Sequence, residues 1–244
     1  MQRVDVIEAL GERVPLDLHF TDSDGKPFTL AEKLHQARPV VLTLVYYRCP
    51  MLCPLVLGGM IKSLTQTHLA LGKDYDILTV SIDPNETSAM AHERKRGYLQ
   101  ALGRGEADPH WTFATGDGDS IHALAKAVGY EYTYDAQAKQ FAHNAVLMLL
   151  SPDGKIARYL YGVEFTPRDL ELSLVEASNG KVGTSVDRLL LTCYQYDAAK
   201  RRYGPYIFAF IRIGALLVFF ALAGLLTLLW RQELKARKHR GVAA

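Results

Sequence analysis

An α/β domain with a mixed central sheet flanked by helices, followed by a C-terminal transmembrane helix, is predicted by three observations. The first is a run of seven apolar and β-branched residues, 40–46, that stops at Arg48 and gives way to helical spacing over residues 55–71. Seven residues of that composition read as a buried strand, too short for a typical helix. The second is the alternation of strand-like and helix-like segments along most of the chain, as in a sheet with helical crossovers. The third is residues 206–230, 25 residues with a single charge, Arg212. At 1.5 Å per residue they would make about 37 Å of helix, enough to cross about 30 Å of hydrocarbon.

Residues 14–20 alternate like a half-buried strand, and Thr21-Asp22-Ser23-Asp24-Gly25 is turn chemistry. Residues 29–36 read as a short helical connection into the central strand, 40–46. The first main helix, 55–71, is closed by Gly72. Residues 75–81 (YDILTVS) are a second strand and 87–102 a charged amphipathic helix. Strand 111–115, helix 120–128 and strand 130–134 follow. Residues 144–150 and 156–161, joined through Ser151-Pro152-Asp153-Gly154, form a hairpin. Thr166-Pro167-Arg168-Asp169 opens a further helix with an N-cap hydroxyl, a proline at the first helical position and an acid in the first turn. A short helix is expected over 185–193. The resulting boundaries are an N-terminal segment 1–13, a folded domain 14–193, a linker 194–205, the span 206–230 and a basic tail 231–244. The order β-α-β-α-β-α-β-ββ-α is that of a thioredoxin-like fold with an insertion.

A net charge of +2 and a pI near 8.3 make no case for a nucleic-acid surface. Three cysteines are too few for a disulfide scaffold, and one is left unpaired. Two of them, Cys49 and Cys53 in the run Cys49-Pro50-Met51-Leu52-Cys53-Pro54, lie where the central strand stops. The carboxyl ends of strands are where open α/β sheets bind ligands. Disulfide-exchange pairs usually have two intervening residues; here there are three, one helical turn, so both sulfurs can converge on one point. Two soft thiolates select Cu(I), Zn(II) or an iron–sulfur cluster over hard cations, and a further ligand is expected from elsewhere. A structural pair of buried cysteines is the plainer alternative.

The Cys49–Pro54 element resembles the SCO/SenC family, together with Ser81-Ile82-Asp83-Pro84 and with Ala142-His143-Asn144 leading into the Met148–Gly154 stretch. These are membrane-tethered, thioredoxin-like copper proteins that help assemble the copper centres of cytochrome c oxidase. The similarity spans residues 14–179. It implies one copper per chain, Cu(I) or Cu(II), held by Cys49, Cys53 and His143, with Asp83 as the acid beside the site. Two thiolates and an imidazole suit that ion in both oxidation states. His19, His35, His68, His92, His110, His122 and His239 match no ligand motif and are read as surface residues. Val45 and Tyr47 stand where the family has small and hydroxyl residues, and Ala142 where it often has an acid. The last difference bears on how the His143 ring is oriented, since hydrogen-bond partners set the tautomer and basicity of a ligating imidazole.

The resemblance implies a copper metallochaperone that delivers copper to, or matures, a copper centre of cytochrome c oxidase. The alternatives are a thiol–disulfide oxidoreductase, with Cys49 and Cys53 as its redox pair, and a structural subunit of a respiratory complex. A peroxiredoxin would want Thr three residues before its reactive cysteine, where Tyr46 stands. Catalysis beyond thiol–disulfide exchange is not expected. The implied partners are the oxidase's copper-binding subunit or other copper or thiol proteins, and the membrane, with no nucleic acid. Tyr206 and Trp230 close the span as interfacial aromatics do. Arg231, Lys235, Arg237, Lys238 and Arg240 follow it, against Lys200, Arg201 and Arg202 before it. That bias places the tail inside and the main domain in the periplasm, anchored by one pass in a bacterial inner membrane. Residues 1–10 lack the apolar stretch of a secretory leader, and an export signal is taken to be missing from this chain. Cys193 is read as a packing residue beside Leu189 and Leu190, the alternative being a thiol at a docking element.

Overall fold

The computed structural model describes residues 5–34, 37–105 and 108–180, and the backbone of Tyr194–Asp197 and Arg202–Pro205. The chain divides into two compact units, Met1–Ser185 and Val186–Ala244. In the first, the Asp22–Gly25 turn folds β1 (His19–Asp22) onto β2 (Pro27–Thr29). Asp22 Oδ1 accepts from the N–H groups of Asp24 and Lys26, 2.9 Å each. A five-residue helix, α1 (Leu30–Leu34), leads to β3 (Val40–Val45), all six of whose residues are buried. Then come α2 (Leu52–Leu64), β4 (Asp76–Ser81), α3 (Ser88–Ala101), β5 (Trp111–Thr115) and α4 (Gly118–Ala127). β6 (Tyr132–Asp135), β7 (Gln140–His143), β8 (Val146–Leu150), β9 (Ile156–Tyr161) and α5 (Pro167–Ser178) complete the unit.

Seven strands form one sheet in the order β2-β1-β5-β4-β3-β8-β9. β3 runs parallel to β4 and antiparallel to β8, and β4 runs parallel to β5, so the sheet is mixed. Strands buried on both faces read as near-continuous apolar runs, which is why 40–46 and 144–150 stand out in the sequence; 76–81 is buried as fully but carries Asp76, Thr79 and Ser81. α3 packs on β5 and β1, and α5 on β8 and β9. Thr87, Asp117 and Thr166 cap α3, α4 and α5 through their side-chain oxygens.

Two elements differ from the sequence expectation, α2 at both of its ends and β6 in its pairing. α2 begins at Leu52 rather than at residue 55, because Pro54 falls in the first turn, where its missing N–H costs nothing. It ends at Leu64, not 71. There Thr65 Oγ1 and Gln66 Nε2 donate to the Lys62 carbonyl and Thr67 Oγ1 to that of Leu64, competing with further helix. The strand expected over 130–134 does not join the central sheet: β6 pairs only with β7, in a separate antiparallel ribbon.

The segment ahead of residue 14 is tied to the domain. Val6 bridges to Tyr130 and Arg13 to Lys155, and a side chain on Gly129, whose φ is 61°, would overlap the Ile7 carbonyl. In the second unit, the stretch 194–205 expected as a linker contains an antiparallel pair. Its strands are β10 (Tyr194–Asp197) and β11 (Arg202–Pro205), with Tyr196 opposite Tyr203. No helix among the described residues is long and apolar enough to cross a membrane. Residues 206–230, the helix expected over 185–193 and Cys193 lie outside the described residues.

Candidate metal centre

β3 delivers the chain to the carboxyl end of the sheet, where Tyr46, Tyr47 and Arg48 turn it into α2. The N–H of Cys49 closes that turn on the Tyr46 carbonyl at 3.1 Å. No side chain of the N-cap residue, Met51, satisfies the start of α2. The Cys49 sulfur takes that place, accepting the N–H of Cys53, in the first turn, at 3.4 Å. A helix start exposes unpaired N–H groups and positive potential, which favour a thiolate. Both thiols are nearly enclosed, Cys49 being 5% and Cys53 3% exposed. Met51 and Leu55 stay at the surface beside them, 70% and 52% exposed.

The turn is held from below by a carboxylate absent from the sequence expectation. Glu86, 5% exposed, accepts the N–H groups of Tyr47 and Arg48, each at 2.7 Å, and the Ser81 hydroxyl at 2.6 Å. Asp83, expected beside the site, instead organises its own loop. Its Oδ1 accepts from the backbone N–H of Asn85 at 2.9 Å and from Asn85 Nδ2 at 3.0 Å.

His143 ends β7, so the separate ribbon carries the third donor across to the thiols. Its Nε2 lies 3.6 Å from Cys53 Sγ. One donor atom from each of Cys49, Cys53 and His143 lies within 4.8 Å of the others. The imidazole Nδ1 faces inward, 2.7 Å from the Tyr130 hydroxyl and 3.0 Å from the Asn144 carbonyl. The Tyr46 ring stands edge-on to the imidazole, with centroids 5.8 Å apart and planes at 83°, and edge-on to Phe141 at 5.4 Å.

The two thiols differ electrically. Burial alone would raise Cys49, but the backbone N–H groups of Cys53 and Met51, with further hydrogen bonds from Cys53 and Tyr46, outweigh it and hold this thiol below its ordinary value. Burial pushes the Cys53 thiol far up, and the N–H of Tyr46 offsets only part of the rise. The neighbouring Cys49 and Glu86 charges add to it. Burial also lowers His143, which favours its neutral, ligating form, while its bond to Asn144 works the other way. Among the described residues, these three are the one group of side chains placed to hold a metal ion. Two sulfurs and one imidazole are a soft-to-borderline donor set, suited to copper or zinc and unsuited to magnesium or calcium.

Of the other histidines, His110 is engaged away from this site, its Nδ1 2.9 Å from Asp76 Oδ1. His92 faces Asp24 at 3.5 Å on the exposed surface. His35 and His239 lie outside the described residues. Sequence reasoning missed Glu86, Tyr130 and the part played by Tyr46. Each acts through contacts 13 or more residues away, or through a hydroxyl that leaves no periodic signal.

The family model described as SCO1/SenC matches residues 9–176, which include Cys49, Cys53 and His143. No curated protein sequence matches the chain. Among solved structures, a protein from Aquifex aeolicus VF5, provisionally assigned to electron transfer, is 25% identical with a TM-score of 0.61, over 71% of this chain and 96% of its own. Arabidopsis thaliana ScoI, solved with copper bound, is 22% identical with a TM-score of 0.51, over 70% of this chain and 99% of its own. BsSco is described as a member of the Sco family of cytochrome c oxidase assembly proteins in which a disulfide switch was identified. It is 23% identical with a TM-score of 0.54, over 74% of this chain and 100% of its own. The last two likenesses bear on the fold.

Proposed function

The chain belongs to the SCO1/SenC family, and from that membership we propose that it is a membrane-anchored copper carrier serving a copper centre of cytochrome c oxidase. The observation that carries this reading is the convergence of Cys49, Cys53 and His143 donor atoms within 4.8 Å. Copper is cargo here rather than a resident catalyst. The thiol held low, Cys49, is the first to offer a thiolate; Cys53 must give up its proton as the ion binds, so loading releases protons and strengthens with pH. The His143 imidazole adds the borderline donor that Cu(II) favours. A relative solved with copper bound supports the choice of metal, and another described as an oxidase assembly protein supports the recipient.

On this reading residues 206–230 are the anchor, and residues 1–205 face the periplasm or an equivalent outer space, with the basic tail inside. Copper titration of the reduced full chain in detergent tests it. One equivalent is expected for the wild type and none bound tightly by Cys49→Ala or Cys53→Ala; equal affinity in either variant would overturn the site.

A second reading, thiol–disulfide exchange, is favoured by the split between the two thiols. The Cys49 thiolate would attack a partner's disulfide and release one partner thiolate. Deprotonated Cys53 would then attack the Cys49 sulfur and release the other. Two electrons pass to the partner, and a Cys49–Cys53 bridge remains. Reduction of a copper-site disulfide peptide by copper-free protein would support this reading; inertness would leave the carrier alone.

A further inference from the structure

Among the described residues no carboxylate bonds His143 Nδ1: Ala142 occupies the neighbouring position, and Asp83 is engaged in its own turn. What stands there is the Tyr130 hydroxyl, on a residue 3% exposed. It lies 2.7 Å from His143 Nδ1, 3.0 Å from the Asn144 carbonyl and 3.2 Å from the Leu44 carbonyl. Leu44 belongs to β3, the strand that delivers the cysteine turn, whereas His143 and Asn144 join β7 to β8. One buried hydroxyl therefore touches both chain segments that supply the candidate ligands.

We propose that Tyr130 is the positioning residue for His143, setting its tautomer so that the Nε2 lone pair faces the two sulfurs and tying the histidine to β3. The inference rests on the copper reading of the site and deepens it. Two protons must be placed among the neighbouring oxygens and nitrogen. If Nδ1 were bare and accepted the phenol proton, its lone pair would also face the Asn144 oxygen at 3.0 Å, and neither carbonyl would receive a hydrogen from the hydroxyl. In the other arrangement the phenol donates to a carbonyl and Nδ1–H donates to the phenol oxygen, with the Asn144 oxygen also in reach. Every group is then satisfied, and Nε2 is left as the bare nitrogen, directed toward Cys53 Sγ. Burial keeps the phenol protonated, so it stays a neutral partner rather than a second anion beside the thiolates. A ligating imidazole is ordinarily fixed by a carboxylate, a carbonyl or water on its other nitrogen, and the phenol fills that role here.

The test uses reduced, metal-free full chain in detergent micelles with ¹⁵N-labelled histidine, the His143 signals being assigned by their loss in His143→Gln. The wild type is expected to show His143 protonated on Nδ1 and bare on Nε2. The reverse tautomer would overturn the proposal without any Tyr130 variant, so it stays decidable even if such a variant does not fold. Tyr130→Phe is expected to mix the tautomers, to weaken Cu(II) about tenfold or more, and to alter the sulfur-to-Cu(II) absorption band. Cu(I) affinity should stay within about threefold, since two thiolates satisfy the softer ion. Tyr132→Phe, on the neighbouring ring 6.4 Å away, should leave all three readouts unchanged. A Tyr130→Phe protein with wild-type tautomer and Cu(II) affinity would overturn the proposal while the carrier reading stands. A wild type that binds no copper would overturn the carrier reading instead.

Discussion

Cys49, Cys53 and His143 are unequal partners, and their inequality is measurable. Either cysteine changed to alanine should abolish tight binding of Cu(I) and Cu(II), because a soft ion loses half of its thiolate pair. His143→Ala should weaken Cu(II) more than Cu(I); competition titrations with chelators for each ion read the difference, and equal losses would contradict the donor assignment. The same histidine gives the metal-free protein an acid sensitivity. Its folded pKa is depressed by burial, so between the ordinary value of about 6.5 and the lower folded value the unfolded chain binds more protons. Stability from this group is complete above that window and is lost as pH falls through it. Denaturant midpoints across pH should therefore fall less steeply there in His143→Gln. Glu86 carries the turn itself: Glu86→Ala strips the acceptor from two backbone N–H groups and one hydroxyl, at about 3 kcal/mol. Chemical denaturation measures that cost. The cysteines were legible in the sequence because their spacing is local; His143 was legible only through the family pattern. Glu86 was not, since its meaning lies in contacts to Tyr47 and Arg48, 39 and 38 residues back along the chain.

At the scale of elements, the legible parts are those whose burial is complete. β3, β4 and β8 are buried along their whole length and rich in aliphatic residues, and could be read directly. The β6–β7 ribbon could be read only in part: β6 overlaps the strand expected over 130–134, whereas on β7 the apolar Ala142 is exposed and the polar His143 turns inward, so hydropathy does not follow the pleat. Yet this ribbon brings the third donor to the site. The start of α2 was read three residues late because prolines usually signal breaks, whereas Pro54 sits in the first turn. Two adjacent glycines of α2 make a sharper test of the packing. A Cβ on Gly58 meets nothing within 4 Å, so Gly58→Ala should stabilise by about 0.5–1 kcal/mol through backbone entropy. A Cβ on Gly59 would overlap the carbonyl of Val163, which as backbone cannot swing aside, so Gly59→Ala should destabilise by about 1–3 kcal/mol. Thermal melts of the two variants should move in opposite directions; movement in the same direction would refute this account of how α2 seats on the loop before α5.

At the scale of the molecule, the chemistry of the site and the side of the membrane proposed for it constrain each other. Thiols 5% and 3% exposed beside a helix start can hold a soft ion or close into a bridge, and an oxidising space presses them toward the bridge. Loading with copper protects the pair, because a coordinated thiolate is no longer free to attack. The basic residues after position 230 outnumber those just before the span, which predicts an outer location for residues 1–205 and a cytoplasmic tail. Two measurements on intact spheroplasts follow. External protease should digest the large unit and spare a tag placed on residues 231–244. A membrane-impermeant maleimide, applied to a Cys193→Ser chain that leaves Cys49 and Cys53 as its sole thiols, should label them after mild reduction and far less when copper is supplied first. A protected large unit would reverse the orientation and place the thiols in a reducing compartment, where the bridge would not form and a periplasmic copper role would fail. Labelling that ignores copper would leave the topology standing and remove the metal from this pair.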